Sequence, residues 1–350
     1  MNKILTIFLG IILLSCGNIE ATMKNDQNPS IILEQKTQNF QDDLKAKGSP
    51  PLYTFAPEEA RKFLEGVQAN SGQKLETKIE DLTIPVGPKG SIGIRILRPP
   101  HITEPLPVVM FFHGAGWILG SKATHDNLVR KIANEAKVAV VFVDYSLSPE
   151  SHFPVAIEEA YAATKYFAEQ GKKHQLDTSR FAVAGDSVGG NMAIAVTLLA
   201  KQRGGPKFDC QLLFYPVTSA DFNTPSYQQF AEGPWLTKKA MEWFFNAYEP
   251  NVAERKNILI SPLNATIEQL KGLPPALVIT GENDVLRDEG EAYARKMMQA
   301  GIQVIAARFL GTTHDFVMLN ALAETPAAQG AFMLATTYLK NALHNKTTQK

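Results

Sequence analysis

The run Phe181-Ala182-Val183-Ala184-Gly185-Asp186-Ser187-Val188-Gly189-Gly190-Asn191 carries two structural signals back to back. Phe181–Ala184 suits a short buried strand, and Val188–Arg203 has the composition of a helix. Between them stands Gly185-Asp186-Ser187-Val188-Gly189, a G-x-S-x-G sequence at a strand-to-helix turn. Such a turn holds a serine hydroxyl in a strained, exposed position. Its glycines let neighbouring backbone pass close by, and the helix aims its first N–H groups at the place where negative charge develops. G-x-S-x-G occurs often by chance, so its weight comes from the strand before it and the helix behind it. Ser187 is the candidate nucleophile.

The flanking sequence repeats the alternation. Val108–Phe112, Val138–Asp144, Gln211–Tyr215, Ala276–Thr280 and Val304–Phe309 read as apolar strands. Lys122–Ala136, Val155–Gln170, Glu289–Ala300 and a last stretch from Thr325 to Leu343 read as helices. Near-continuous apolar strands alternating with helices predict an α/β fold, a mostly parallel sheet flanked by helices on both faces. Ahead of it, Pro57–Val67 suits an amphipathic helix. Thr77–Val86 and Ser91–Arg98 suit a strand pair broken at Gly87-Pro88-Lys89-Gly90. Residues 221–270 interrupt the alternation with Gly233-Pro234-Trp235-Leu236 and the aromatic group Trp243-Phe244-Phe245 and Tyr248. They read as a helical cap over the sheet's C-terminal edge, joined by residues 52–75; the other reading is additional helix packed on the core.

Two further clusters suit acyl-transfer chemistry. His113-Gly114-Ala115-Gly116-Trp117 follows the strand Val108–Phe112. Small residues there let the backbone N–H groups of Gly114, Ala115 and Gly116 turn inward and, with that of Val188, form an oxyanion hole. His113 precedes the serine and reads as an anchor of this loop. Thr313-His314-Asp315-Phe316 follows the strand Val304–Phe309. A triad on this kind of sheet runs serine, acid, histidine in chain order. Only His314 and His344 come late enough, and His344 lies close to the C-terminus. The acid belongs just beyond Ala276–Thr280, in Gly281-Glu282-Asn283-Asp284. Asp284 is preferred to Glu282, and Asp288, with Glu291 three residues on, reads as the N-cap of a capping box.

With these stretches in place, the chain resembles the hormone-sensitive-lipase-like family of α/β-hydrolase esterases, which includes bacterial acetyl esterases and lipases. The resemblance is carried by His113–Trp117, Val143-Asp144-Tyr145-Ser146-Leu147-Ser148-Pro149-Glu150, Gly185–Asn191, Leu273-Pro274-Pro275-Ala276, Asp284–Gly290 and His314-Asp315-Phe316. It covers residues 55–340 in the family's order. It implies a carboxylesterase acting on small, soluble, short-chain acyl esters through an acyl-enzyme intermediate, without cofactor or metal. Ala115 replaces the middle glycine of the family's oxyanion loop, Val188 replaces its alanine after the nucleophile, and Ser146 replaces an arginine. The added Cβ at position 115 is expected to narrow the acyl pocket. Amide or acylated-sugar deacetylation on the same triad, and a non-catalytic ligand-binding protein on the same fold, are the alternatives.

The 350 residues, 45% of them hydrophobic, suffice for one large domain with a cap. Lys+Arg and Asp+Glu both number 35, which gives no electrostatic ground for binding nucleic acid or an anionic membrane surface. At the N-terminus, Lys3 precedes the apolar run Ile4–Leu14, too short to span a bilayer comfortably, and Leu13-Leu14-Ser15-Cys16-Gly17 follows. This resembles a lipoprotein signal, with residues 1–16 as the signal segment and Cys16 as the lipid attachment site. An ordinary secretory peptide is the other reading, and both export the protein. Residues 17–51 are polar and read as a tether, which leaves residues 52–345 as the hydrolase domain. The second cysteine, Cys210, lies in an apolar strand-like run and reads as a buried, inert thiol.

Overall fold

The structure is a computed structural model that describes residues 31–69 and 72–345. In chain order the elements begin with α1 (Gln35–Ala46), α2 (Pro57–Val67), β1 (Lys78–Ile84), β2 (Ile92–Arg98), β3 (Leu106–Phe112), α3 (Asp126–Ala136), β4 (Ala139–Asp144) and α4 (Val155–Gln170). Then come β5 (Leu176–Asp186), α5 (Val188–Arg203), β6 (Cys210–Phe214), α6 (Pro225–Gln229), α7 (Lys238–Tyr248) and α8 (Ile267–Leu270). The chain continues through β7 (Ala276–Asn283), α9 (Arg287–Gln299), β8 (Val304–Thr313) and α10 (Pro326–His344).

The eight strands form one sheet in the order β1-β2-β4-β3-β5-β6-β7-β8. β2 runs antiparallel to both β1 and β4, and every other neighbouring pair is parallel. Every residue of β3 and β6 is buried, as strands covered on both faces require. Helix α5 lies so close to this centre that glycine is obligatory at its start: a Cβ on Gly189 would stand 2.0 Å from the carbonyl oxygen of Phe112. The mostly parallel sheet flanked by helices agrees with the pattern in the sequence.

Three expectations change. Strand β5 begins at Leu176 rather than Phe181, because Leu176 and Asp177 pair with Leu106 and Pro107 across a register shift. β7 and β8 likewise run on to Asn283 and Thr313, so Asp284 and His314 leave the strand ends directly. The largest correction concerns the tether over residues 17–51. Its second half forms α1 and is docked on the body. The N–H of Glu34 donates to the Gly311 carbonyl at 2.8 Å, and Asn283 Nδ2 donates to the Ile32 carbonyl at 3.0 Å. Thr37 is fully buried, and the Phe40 ring lies 5.5 Å from that of Trp235. Cys16, the signal segment 1–16 and residues 17–30 of the tether lie outside the described residues.

The interrupting segment divides by its packing. Helix α7 lies across the C-terminal edge of the sheet, its Tyr248 ring stacked on Trp117 at 4.0 Å. Residues 254–270 instead pack on the body: Asn191 Nδ2 donates to the Ile260 carbonyl and Lys296 Nζ to that of Leu263. Helix α2 is fixed beside the cap by Arg61, which donates to Glu150, the Ile118 carbonyl and the Ser148 carbonyl.

Candidate active site

Ser187 sits between β5 and α5 with φ 55° and ψ −120°, a backbone state that costs a non-glycine residue roughly 1–3 kcal/mol. Surrounding contacts hold it there. Its N–H donates to the Phe214 carbonyl at 2.8 Å, and its own carbonyl accepts from Val217 N at 3.1 Å. A Cβ on Gly185 would meet the Gly189 carbonyl oxygen at 2.2 Å, so the turn closes only on glycine.

The loop after β8 brings His314 Nε2 to 3.0 Å from Ser187 Oγ. On the other side of the ring, Nδ1 lies 2.7 Å from Asp284 Oδ2, on the loop after β7. Asp284 is itself held, because its Oδ1 accepts from Leu286 N at 2.9 Å. All three side chains are buried. Burial alone pulls the imidazole pKa down. The charges of Asp284 and then Asp315, the hydrogen bond to Asp284 and the more distant Asp186 outweigh it and push the value up to about 9. The arrangement suits proton transfer from Oγ to Nε2, with Asp284 holding the ring and stabilising the imidazolium.

The oxyanion loop differs from expectation at one position. Gly114 is not free to donate, because its N–H is bonded to Asp186 Oδ1 at 3.0 Å. A Cβ there would stand 2.3 Å from Asp186 Oδ2, so position 114 serves close approach. Ala115 (φ 75°), Gly116 (φ 70°) and Trp117 (φ 60°) follow in left-handed backbone. The N–H groups of Ala115, Gly116 and Val188 donate to no acceptor among the described residues and remain for an oxyanion.

His113 anchors this loop. It stacks on Tyr145 with ring centres 4.2 Å apart, and its Nδ1 lies 3.0 Å from the Gly114 carbonyl oxygen. Burial foremost, helped by the charge of His125, pulls its pKa down to about 4. A neutral ring can donate from Nδ1 to that carbonyl. His125 is buried as well and places Nε2 3.2 Å from Asp186 Oδ2. Asp186 therefore clamps the oxyanion loop to the nucleophile turn, a role only its place beside Ser187 hints at.

The capping box at Asp288 is not formed. Helix α9 begins two residues earlier than expected, at Arg287, so that Leu286 and not Asp288 is its N-cap. Asp288 Oδ2 accepts from Ser226 N at 2.8 Å, and Glu291 pairs with Arg308 at 2.7 Å. Glu282 accepts from Gly311 N at 2.8 Å, while Asp284 is the carboxylate on His314 Nδ1. Cys210 is fully buried and burial raises its thiol pKa, which leaves it unreactive.

A cavity of about 300 Å³ opens at Ser187 and His314. It is lined by Ala115 and Gly116, by Trp235, Leu236 and Phe244 of the cap, by Tyr53 and Phe63, and by Gln41, Leu44 and Lys45 of α1. The contribution of α1 is absent from the sequence-based expectation, because a polar helix gives no sign of what it covers.

A family profile for the alpha/beta hydrolase fold matches residues 109–318. Among solved structures, a thermostable esterase from Pseudomonas putida is 48% identical, covers 90% of this chain and 99% of its own, and superposes with a TM-score of 0.88. Carboxylesterase NlhH of Mycobacterium tuberculosis is 38% identical over 273 residues, 77% of this chain and 84% of its own. An ethyl acetate hydrolase of Pseudomonas putida is 35% identical over 289 residues, 81% of this chain and 90% of its own.

Proposed function

The chain belongs to the hormone-sensitive-lipase-like esterases of the α/β-hydrolase fold, and from that premise we propose that it hydrolyses small short-chain acyl esters through an acyl-enzyme on Ser187. The observation that carries this reading is the unbroken chain Ser187 Oγ, His314, Asp284, at 3.0 and 2.7 Å, opening onto a cavity of about 300 Å³. Ser187 Oγ attacks the ester carbonyl as Nε2 takes its proton. The N–H groups of Ala115, Gly116 and Val188 hold the oxyanion. Nε2 then protonates the departing alcohol, and a water repeats the sequence to release the acid.

The cavity volume lies at the lower end of small-molecule sites, and Ala115 takes up room beside the nucleophile. The activity named for the ethyl acetate hydrolase supports the same size class. Initial rates along a p-nitrophenyl ester series test this: acyl chains of about two to six carbons should turn over fastest, within the limits a closed pocket sets. Faster turnover of emulsified long-chain triglyceride than of soluble butyrate esters overturns it. The sequence Leu13-Leu14-Ser15-Cys16 supports a second part of the reading, that the protein is exported and held at a membrane through lipid on Cys16.

A further inference from the structure

Asp315 immediately follows the base and has no assigned part in the triad. Its backbone is left-handed, with φ 63°. One carboxylate oxygen, Oδ2, accepts from Trp235 Nε1 at 2.8 Å. The other, Oδ1, has no hydrogen-bond partner of its own and stands 3.3 Å from His314 Nε2. The side chain is nine-tenths buried and lines the cavity beside Ser187. Nε2 therefore faces two oxygens, Ser187 Oγ at 3.0 Å and Asp315 Oδ1 at 3.3 Å. They suit opposite protonation states. A bare Nε2 accepts from the serine hydroxyl, whereas a protonated Nε2 donates to the carboxylate, which is the stronger, charge-assisted acceptor.

Resting on the triad reading above, we propose that Asp315 is a positioning residue that binds the His314 imidazolium through Nε2 and so sets the pH at which Ser187 becomes nucleophilic. In the resting site the ring is held between two carboxylates, Nδ1–H toward Asp284 and Nε2–H toward Asp315. The proton on Nε2 must leave before Oγ–H can be accepted. The charge that opposes this step also stabilises the imidazolium formed during acylation, so one residue raises the pH of onset and supports the rate above it.

The surroundings favour this division. Asp284 from the end of β7, Asp186 from the end of β5 and Asp315 on the same loop all bring negative charge toward the ring. Tyr215, after β6, packs edge to face with the imidazole, ring centres 4.7 Å apart. Lys45 of α1 and Glu232 of the cap stand on the cavity wall with opposite charges. Burial foremost holds the Asp315 carboxyl above its ordinary value, and the charge on His314 pulls the other way, so ionisation of the carboxyl is favoured while the ring is protonated. With the histidine raised, kcat/KM climbs as pH rises through its pKa, and removal of one carboxylate moves that climb to lower pH.

The test is the pH dependence of kcat/KM on p-nitrophenyl acetate for wild type, Asp315→Asn and Trp235→Phe. Asparagine accepts left-handed backbone as readily as aspartate does. In Asp315→Asn the acidic limb should move down by about one pH unit or more, as loss of a charge within contact distance does, and the alkaline plateau should fall. Trp235→Phe, which removes the donor that stabilises the carboxylate, should move the limb the same way by less. NMR titration of the His314 ring in wild type and Asp315→Asn reads the same shift without activity. An unmoved limb, or a ring that titrates alike in both proteins, overturns the proposal even if Asp315→Asn is slower or less stable. Failure of the triad reading has a different sign, full activity in Ser187→Ala.

Discussion

Asp284 and Asp288 stand four residues apart, and the structure gives them unrelated tasks. Asp284 divides its oxygens between His314 Nδ1 and Leu286 N. Asparagine in its place keeps an acceptor for Leu286 but presents the wrong partner to Nδ1. Asp284→Asn should therefore lower kcat by about 10³–10⁴-fold, the scale set by triads that lose their orienting charge, with little change in Tm. Asp288→Ala leaves the N–H of Ser226 without its acceptor and should cost roughly 1–3 kcal/mol of stability with a mild effect on rate. Reversal of these two phenotypes in ester kinetics and thermal melts would make Asp288 the acid. Ser187, His314 and Asp284 were legible because each follows a recognisable strand in a fixed chain order. The bond from Gly114 to Asp186 was not, since residues 72 positions apart meet only in the folded chain. The part of Asp315 is hidden in the sequence for a similar reason: adjacency to the base says nothing of where its carboxylate points.

Some helices were legible to the residue, while Lys122–Ala136 starts four residues ahead of α3 and Glu289–Ala300 starts two residues late on α9. Pro57–Val67, Val155–Gln170 and Val188–Arg203 match α2, α4 and α5 end to end. Helix α1 was not, because Phe40 and Leu44 are its large apolar side chains and the rest of its surface is polar. Its attachment comes instead from Glu34 against Gly311, from Phe40 against Trp235 and from the cavity wall of Gln41, Leu44 and Lys45. No periodicity reports contacts of that kind. They make α1 part of the pocket, with a measurable consequence. A chain beginning at Gly48 should retain the triad yet bind short esters more weakly and lose its preference for short over octanoyl esters. An unchanged chain-length profile would show that α1 does not shape the acyl pocket.

Across the molecule, the parallel strands collect the chemistry at one edge. Ser187 leaves the end of β5, Asp284 the end of β7 and His314 the end of β8, where the loops of an open α/β sheet form its crevice. Helices α1, α2 and α7 close over that crevice from outside the alternating pattern; α2 and α7 fall in stretches that read as cap, and α1 alone of the three does not. The N-terminus bears on where this body works. Cys16→Ser should move the full-length protein from the membrane fraction to the soluble one or stall its processing; wild type found wholly soluble, with no acyl adduct by mass spectrometry, removes the lipid anchor. Nucleophilic catalysis by Ser187 is tested most directly by stoichiometric labelling with a fluorophosphonate, followed by peptide mass spectrometry and ester kinetics. One adduct per chain on Ser187, loss of activity in proportion to labelling, and a Ser187→Ala protein that folds, takes no label and is at least ~10³-fold slower are the expected results. Activity that survives full labelling of Ser187, or a Ser187→Ala protein keeping more than about a tenth of the wild-type rate, far above what triads retain, would contradict it.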